Sequence, residues 1–331
     1  MSDCMDARLR GGVCVISLAA MCLLFTGCAQ LQQDHSVDFY VDAVMYKEFQ
    51  QNDLAIERLK SAIKENKKFP LAYSLLGDIY EEMKEYEKSA NSYEMAAEIN
   101  PWSFRDYFSL GKVYELMEKF TNAVKSYKQA VEIKPDHFEA NLGVARNAYQ
   151  INDYNDALVY GRKAEEINPD AVEVQKILGD IYDTQKDYEQ AIRAYKRALE
   201  LDSNDINSMK SLAVAYLKTG RNEPAKELLL MVTQLRPNDS DAFQYLGYCY
   251  LRLNDIDNSI ASYGTAIDIN SKDWQSYRGL GVAYMLKAIN TGDETLKTKA
   301  IEQWRMSLEI MPGQPRSERL RKLVARYEQP K

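Results

Sequence analysis

The chain has 331 residues, 46% hydrophobic and 27% charged, so it can build a core and is not a disordered polymer. Its net charge of −7, from 42 basic and 49 acidic residues, argues against a nucleic-acid partner, because such binders present a basic face. Only two histidines, His35 and His137, and no CxxC pair are present, so no metal site, cofactor site or catalytic triad is expected, and the chain reads as a non-enzyme.

Residues 1–27 carry the pattern of an export signal. Arg8 and Arg10 supply positive charge, and Val13 to Thr26 is an apolar run too short to span a bilayer comfortably. Leu24-Phe25-Thr26-Gly27-Cys28 follows, and it resembles the lipobox of bacterial lipoproteins. That resemblance implies cleavage after Gly27, acylation of the Cys28 thiol, and a lipidated tether over 28–35. In enteric bacteria an Asp after the cysteine retains a lipoprotein in the inner membrane. Ala29 stands there instead, so the resemblance implies a lipid-anchored envelope protein on the outer membrane, facing the periplasm. The other cysteines are Cys4, Cys14 and Cys22 in the signal and a lone Cys249, which leaves no disulfide framework and reads as packing.

Beyond the tether a single period rules the sequence. Gly77, Gly111, Gly179, Gly247 and Gly281 fall on one 34-residue grid. Tyr46, Tyr80, Tyr114, Tyr182, Tyr216, Tyr250 and Tyr284 keep a second register of it, and Pro101, Pro135, Pro169 and Pro237 a third. A fixed period of this length marks a helical repeat array. Within one period, Tyr73, Leu76, Gly77 and Tyr80 define the apolar stripe of a first helix. Lys84-Glu85-Tyr86 turns the chain, and Ala90, Tyr93, Ala96 and Ala97 form the stripe of a second helix, with its small residues expected to face Gly77. Pro101 ends that helix.

The sequence Tyr107, Leu110, Gly111, Tyr114, Ala123, Tyr127, Ala130 and Pro135 resembles the tetratricopeptide repeat family. The resemblance implies an all-α fold, a right-handed α-solenoid of about eight helical hairpins. They are expected at 36–69, 70–103, 104–137, 138–171, 172–205, 206–239, 240–273 and 274–314, an array over 36–314. In the last of these, Pro237 to Pro312 exceeds two periods by seven residues, which predicts two longer helices meeting at Asn290-Thr291-Gly292-Asp293 and a projecting tip over 288–298. A capping helix and tail follow over 315–331, with Leu320, Leu323 and Val324 inward and Arg316, Arg319, Arg321, Lys322 and Arg326 on its wet face.

In this family the second, fifth, sixth, ninth, twelfth and thirteenth positions of each repeat line the concave surface. Carried over, they give a partner-binding groove of Lys112, Arg146, Tyr149, Lys176, Lys210, Tyr245, Tyr248 and Arg278, preceded by an acidic stretch with Asp78, Glu81 and Glu82. The resemblance therefore implies a scaffold that binds other proteins through this groove and the membrane through its lipid. Assembly of a pilus, a secretion system or an outer-membrane complex are the roles it suggests. The other class open to these residues is a periplasmic binding module for an anionic glycan or small ligand, as in exopolysaccharide export.

Overall fold

The computed structural model describes residues 35–328, so the expected signal segment and Cys28 lie outside the described residues. Among those described there are seventeen α-helices, no strand, and no helix long and apolar enough to cross a membrane. They form two compact units, which divide after Asn100.

The first unit holds two helical hairpins, α1 (Ser36–Glu48) with α2 (Asn52–Glu65) and α3 (Pro70–Glu82) with α4 (Tyr86–Ile99). Ala43, Ala55, Leu59, Ala62, Ala72, Leu76 and Ile79 close its core. Lys47 ties α1 to α3 by pairing with Glu82 at 2.9 Å. On the other side of α1, Val37, Val41, Met45 and Phe49 form an exposed apolar stripe.

The second unit holds six hairpins. These are α5 (Phe104–Leu116) with α6 (Phe120–Ile133), α7 (Phe138–Gln150) with α8 (Tyr154–Ile167), and α9 (Val172–Thr184) with α10 (Tyr188–Leu201). Next come α11 (Ile206–Lys218) with α12 (Asn222–Leu235), α13 (Ser240–Arg252) with α14 (Ile256–Ile269), and α15 (Trp274–Thr291) with α16 (Glu294–Ile310). Helix α17 (Ser317–Glu328) ends the unit. Each second helix packs on its own first helix and on the first helix of the next hairpin, so no hairpin buries its apolar stripe alone.

The repeat glycines make close approach possible, but the partner differs from the sequence expectation. It is an aromatic ring of the second helix, not its alanines, that covers the glycine. A Cβ at Gly77 would lie 2.7 Å from Tyr93 Cε1, and one at Gly247 2.8 Å from Tyr263 Cγ. In the last hairpin Trp304 takes the place of the tyrosine over Gly281. Ser89 and Ser259 add a hydroxyl that donates to the carbonyls of Gly77 and Gly247, each at 2.9 Å.

A left-handed residue closes every hairpin turn. Gln50, Lys84, Glu118, Asn152, Lys186, Gly220 and Asn254 recur every 34 residues with φ between 57° and 77°. This lets the chain end the first helix with a six-to-one bond such as Glu85 N–H to Tyr80 O at 2.8 Å. In the last hairpin the left-handed residue moves to Gly292, and α15 runs to Thr291, which bears out the expected lengthening. Side chains other than glycine are disfavoured in this region by about 1 kcal/mol. Lys186→Gly is therefore expected to raise the unfolding free energy in urea melts by about 0.5–1 kcal/mol and Gly220→Ala to lower it by a similar amount. Equal midpoints in both variants would refute this account of the turns.

Candidate functional site

The first helices α5, α7, α9, α11, α13 and α15 lie next to one another in chain order within the second unit, and they carry all eight predicted groove residues. The structure does not gather these residues into one basic surface. They fall into separate hollows with different charge.

Between α7 and α9, Arg146, Tyr149 and Lys176 share a hollow of about 530 Å³ with Glu173, Asp180, Asp202 and Asp205. Arg146 pairs with Glu115 at 2.6 Å and with Glu173. Lys176 donates to Asp205 at 3.1 Å. The Tyr149 hydroxyl lies 3.2 Å from Thr184 Oγ1, with its ring tilted against Tyr154. Asp180 accepts from the Tyr195 hydroxyl at 2.7 Å, and burial, with Asp183 close by, holds its carboxyl above the usual carboxylate range.

The next hollow, about 350 Å³, brings Lys210 and Tyr245 together with Lys218, Asp183 and Asp241. Lys210 donates to both oxygens of Asp239 at 2.8 and 2.9 Å, and Lys218 to Asp183 at 2.7 Å. Tyr245 is half-buried against the core, and burial raises its phenol above the ordinary value. Lys112 is exposed on α5, apart from both hollows.

A rule emerges that sequence reasoning missed. Lys176 and Lys210 occupy the fifth slot of their repeats, and each pairs with the aspartate that caps the first helix of the next repeat, 29 residues on. Asp205 accepts at once from Lys176 and from the Ser208 N–H, and Asp239 from Lys210 and the Ala242 N–H. Despite the opposing effect of burial, these bonds hold both carboxyls below their ordinary range. The lysines are struts between repeats. Arg146→Glu with Lys176→Glu is therefore expected to lower stability by about 1–2 kcal/mol in urea melts, since both pairs are only part-exposed and removing one partner strands a charge. An unchanged midpoint would show that these pairs do not tie the repeats.

The last hollow, about 670 Å³ at the end of the unit, is built differently. Tyr248 of α13 and Arg278 of α15 meet Arg316, Arg319, Leu320 and Leu323 at α17, over a floor of Tyr263 and Trp304. Arg316 and Arg319 thus line a cleft and do not simply form the outer face expected for them. Leu320, Leu323 and Val324 do point inward, packing with Met285, Ala300 and Trp304. Arg278 lies over the Trp274 ring at 4.8 Å and donates to Pro315 O at 3.3 Å. Burial, with Arg316 nearby, pushes its guanidinium below the ordinary value. Cys249 behind this region is fully buried and packs in the core with Ala225, Leu229 and Leu246, and burial pushes its thiol up to about 12. Among the described residues no cluster of His, Cys, Asp or Glu is arranged to hold a metal ion.

Family models described as tetratricopeptide repeat match residues 71–101, 107–137, 145–206, 184–246 and 240–273. The chain belongs to the tetratricopeptide repeat family. Members of this family bind other proteins or peptides, and the repeats imply a protein–protein interaction scaffold. No curated protein matches the sequence. Among solved structures, the C-terminal part of a repeat-containing protein from Cytophaga hutchinsonii is 19% identical, with a TM-score of 0.59, over 73% of this chain and 99% of its own. The pilF protein of Pseudomonas aeruginosa is 18% identical, with a TM-score of 0.52, over 62% of this chain and 94% of its own. These likenesses share the tetratricopeptide fold alone.

Proposed function

We propose that the chain is a lipid-anchored scaffold of the bacterial cell envelope, without catalysis of its own, that holds other proteins during assembly of a pilus, secretion or outer-membrane complex. The observation that carries this reading is the order of the sequence: a charged start, an apolar run, Thr26-Gly27-Cys28, and then the repeat array. Lipidation at Cys28 would leave seven residues, Ala29 to His35, before α1. Seven residues reach about 25 Å at full extension, so the array would begin at the membrane surface. With Ala29 after the cysteine, the outer membrane facing the periplasm is the proposed location.

The test is mass spectrometry of the mature N-terminus with capture from solubilised membranes. The expected mature protein begins at an acylated Cys28 and brings down envelope proteins. Cys28→Ser is expected to leave the protein uncleaved or to release it from the membrane fraction, because the acyl chains supply the anchoring free energy. A mature N-terminus without acyl groups would sink the anchored reading, and capture of no envelope protein would sink the scaffold role there.

A further inference from the structure

Along the first-helix face of the second unit, four cations are met by carboxylates. Arg146 has Glu115 and Glu173, Lys176 has Asp205, Lys210 has Asp239, and Lys218 has Asp183. The cleft at α17 differs from these four. Arg278 holds the fifth slot of its repeat, the slot of Lys176 and Lys210. The residue just before the following helix, aspartate at Asp205 and Asp239, is Arg316 before α17. With the seven extra residues of the last hairpin counted in, the strut aspartate's place falls to the uncharged Gln314, whose N–H bonds to Met311 O as that of Asp205 bonds to Asp202 O, and Arg316 follows two residues later. Arg319 joins from one turn further along α17. None of the cleft's lining residues is acidic, and among the described residues neither Arg278, Arg316 nor Arg319 has an ion-pair partner.

This is an unusual arrangement for a chain of net charge −7. Two guanidinium groups repel across a half-buried cleft, and Arg278 is held by Trp274 and Pro315 O, neither of which neutralises it. The neck of the cleft is also fixed. Gln314 is 2% exposed and donates to Ser307 O at 2.9 Å, and Ser307 donates to Trp274 O at 2.8 Å. Beside the arginines lie Tyr248, Leu251, Val282, Leu320 and Leu323, an apolar wall.

We infer that this cleft binds an acidic peptide segment of a partner protein, a carboxylate side chain settling between Arg278, Arg316 and Arg319 while a neighbouring apolar or aromatic side chain lies against Tyr248 and the leucines. The ligand supplies the carboxylate that the chain supplies to itself at Asp205 and Asp239. Arginine forks take carboxylates in two-point geometry, and partial burial strengthens the contact. The volume of about 670 Å³ falls in the range of sites that take small ligands and peptide anchors. The inference rests on the scaffold reading and names the site and chemistry of one partner.

The experiment is fluorescence anisotropy of the intact second unit in the full chain with a rhodamine-labelled, C-terminally amidated hexapeptide of alternating glutamate and phenylalanine. The expected result is saturable binding, weakened about tenfold or more when glutamine replaces glutamate, and weakened as much by Arg278→Gln or by Arg316→Gln with Arg319→Gln. The double variant touches exposed, unpaired side chains, so its melting curve should match the wild type, which separates binding from folding. Equal binding of the glutamine peptide, or unchanged binding by the double variant, overturns the proposal. So does binding of a glucuronic acid oligomer or inorganic phosphate where the peptide fails. Capture from membranes discriminates further. A double variant that captures the same proteins as the wild type overturns the cleft and leaves the scaffold standing. Peptide binding that the double variant loses supports the cleft even where membrane capture fails, and then the envelope role falls alone.

Discussion

Gly111→Leu is expected to unlock the third hairpin, with a loss of about 1–3 kcal/mol or more in urea melts. The reason is the ring of Tyr127, which is 2% exposed and lies between two helices. A Cβ at Gly111 on α5 would sit 2.7 Å from its Cδ1, and one at Gly143 on α7 2.8 Å from its Cε2. The ring has glycine on both faces and cannot swing away from one without striking the other. Its hydroxyl also donates to Glu115 at 2.9 Å, which fixes the far end. Even Gly111→Ala should therefore destabilise, although alanine favours a helix over glycine by about 1 kcal/mol. Gly264 on α14 is the control, because nothing lies within 4 Å of an added Cβ there. Gly264→Ala should stabilise by about 0.5–1 kcal/mol from helix propensity alone. If the two alanine variants shift the midpoint in the same direction, ring-on-glycine packing is not what sets the spacing of the helices.

Trp304→Ala is the second large effect, expected to cost about 3–5 kcal/mol as a fully buried aromatic is removed. Trp304 is 2% exposed, covers Gly281, and donates its indole N–H to Arg278 O at 3.2 Å. It also packs with Val324, Leu320 and Leu323, so α17 is held to the array through it. In a repeat array stability is a sum of local and nearest-neighbour contributions, and the damage should stay at one end. Hydrogen exchange is expected to accelerate across α15, α16 and α17 while α5 to α8 keep their protection. Uniform acceleration through the whole second unit would show that the unit unfolds as one body and that Trp304 is not a local lock. Trp304 also floors the arginine cleft, so the same variant should lose the glutamate-phenylalanine peptide. That loss follows from a collapsed cleft, which is why the exposed pair Arg316 and Arg319 serves the binding test better.

The period of 34 residues determined the fold class by itself. Gly77, Tyr80, Ala96 and Pro101 each recur at one slot because each slot has one physical duty, and a repeated duty is visible without coordinates. The long last hairpin was legible for the same reason: an interval of 75 between Pro237 and Pro312 allows a longer pair of helices and little else. What covers each glycine was not legible. Tyr127 and Ala123 lie on the same stripe, and only the crossing of the helices puts the ring, not the methyl, over Gly111. Charge was read correctly as to sign and position, yet a cation's partner lies 27 to 31 residues away and is invisible in a local pattern. Arg146, Lys176 and Lys210 therefore looked like a basic groove, and the tertiary structure made them struts. The arginine cleft needed both levels. The sequence placed Arg278 in the strut slot, and the packing of α17 beyond a lengthened hairpin left the uncharged Gln314 in the aspartate's place and brought Arg316 and Arg319 into the cleft.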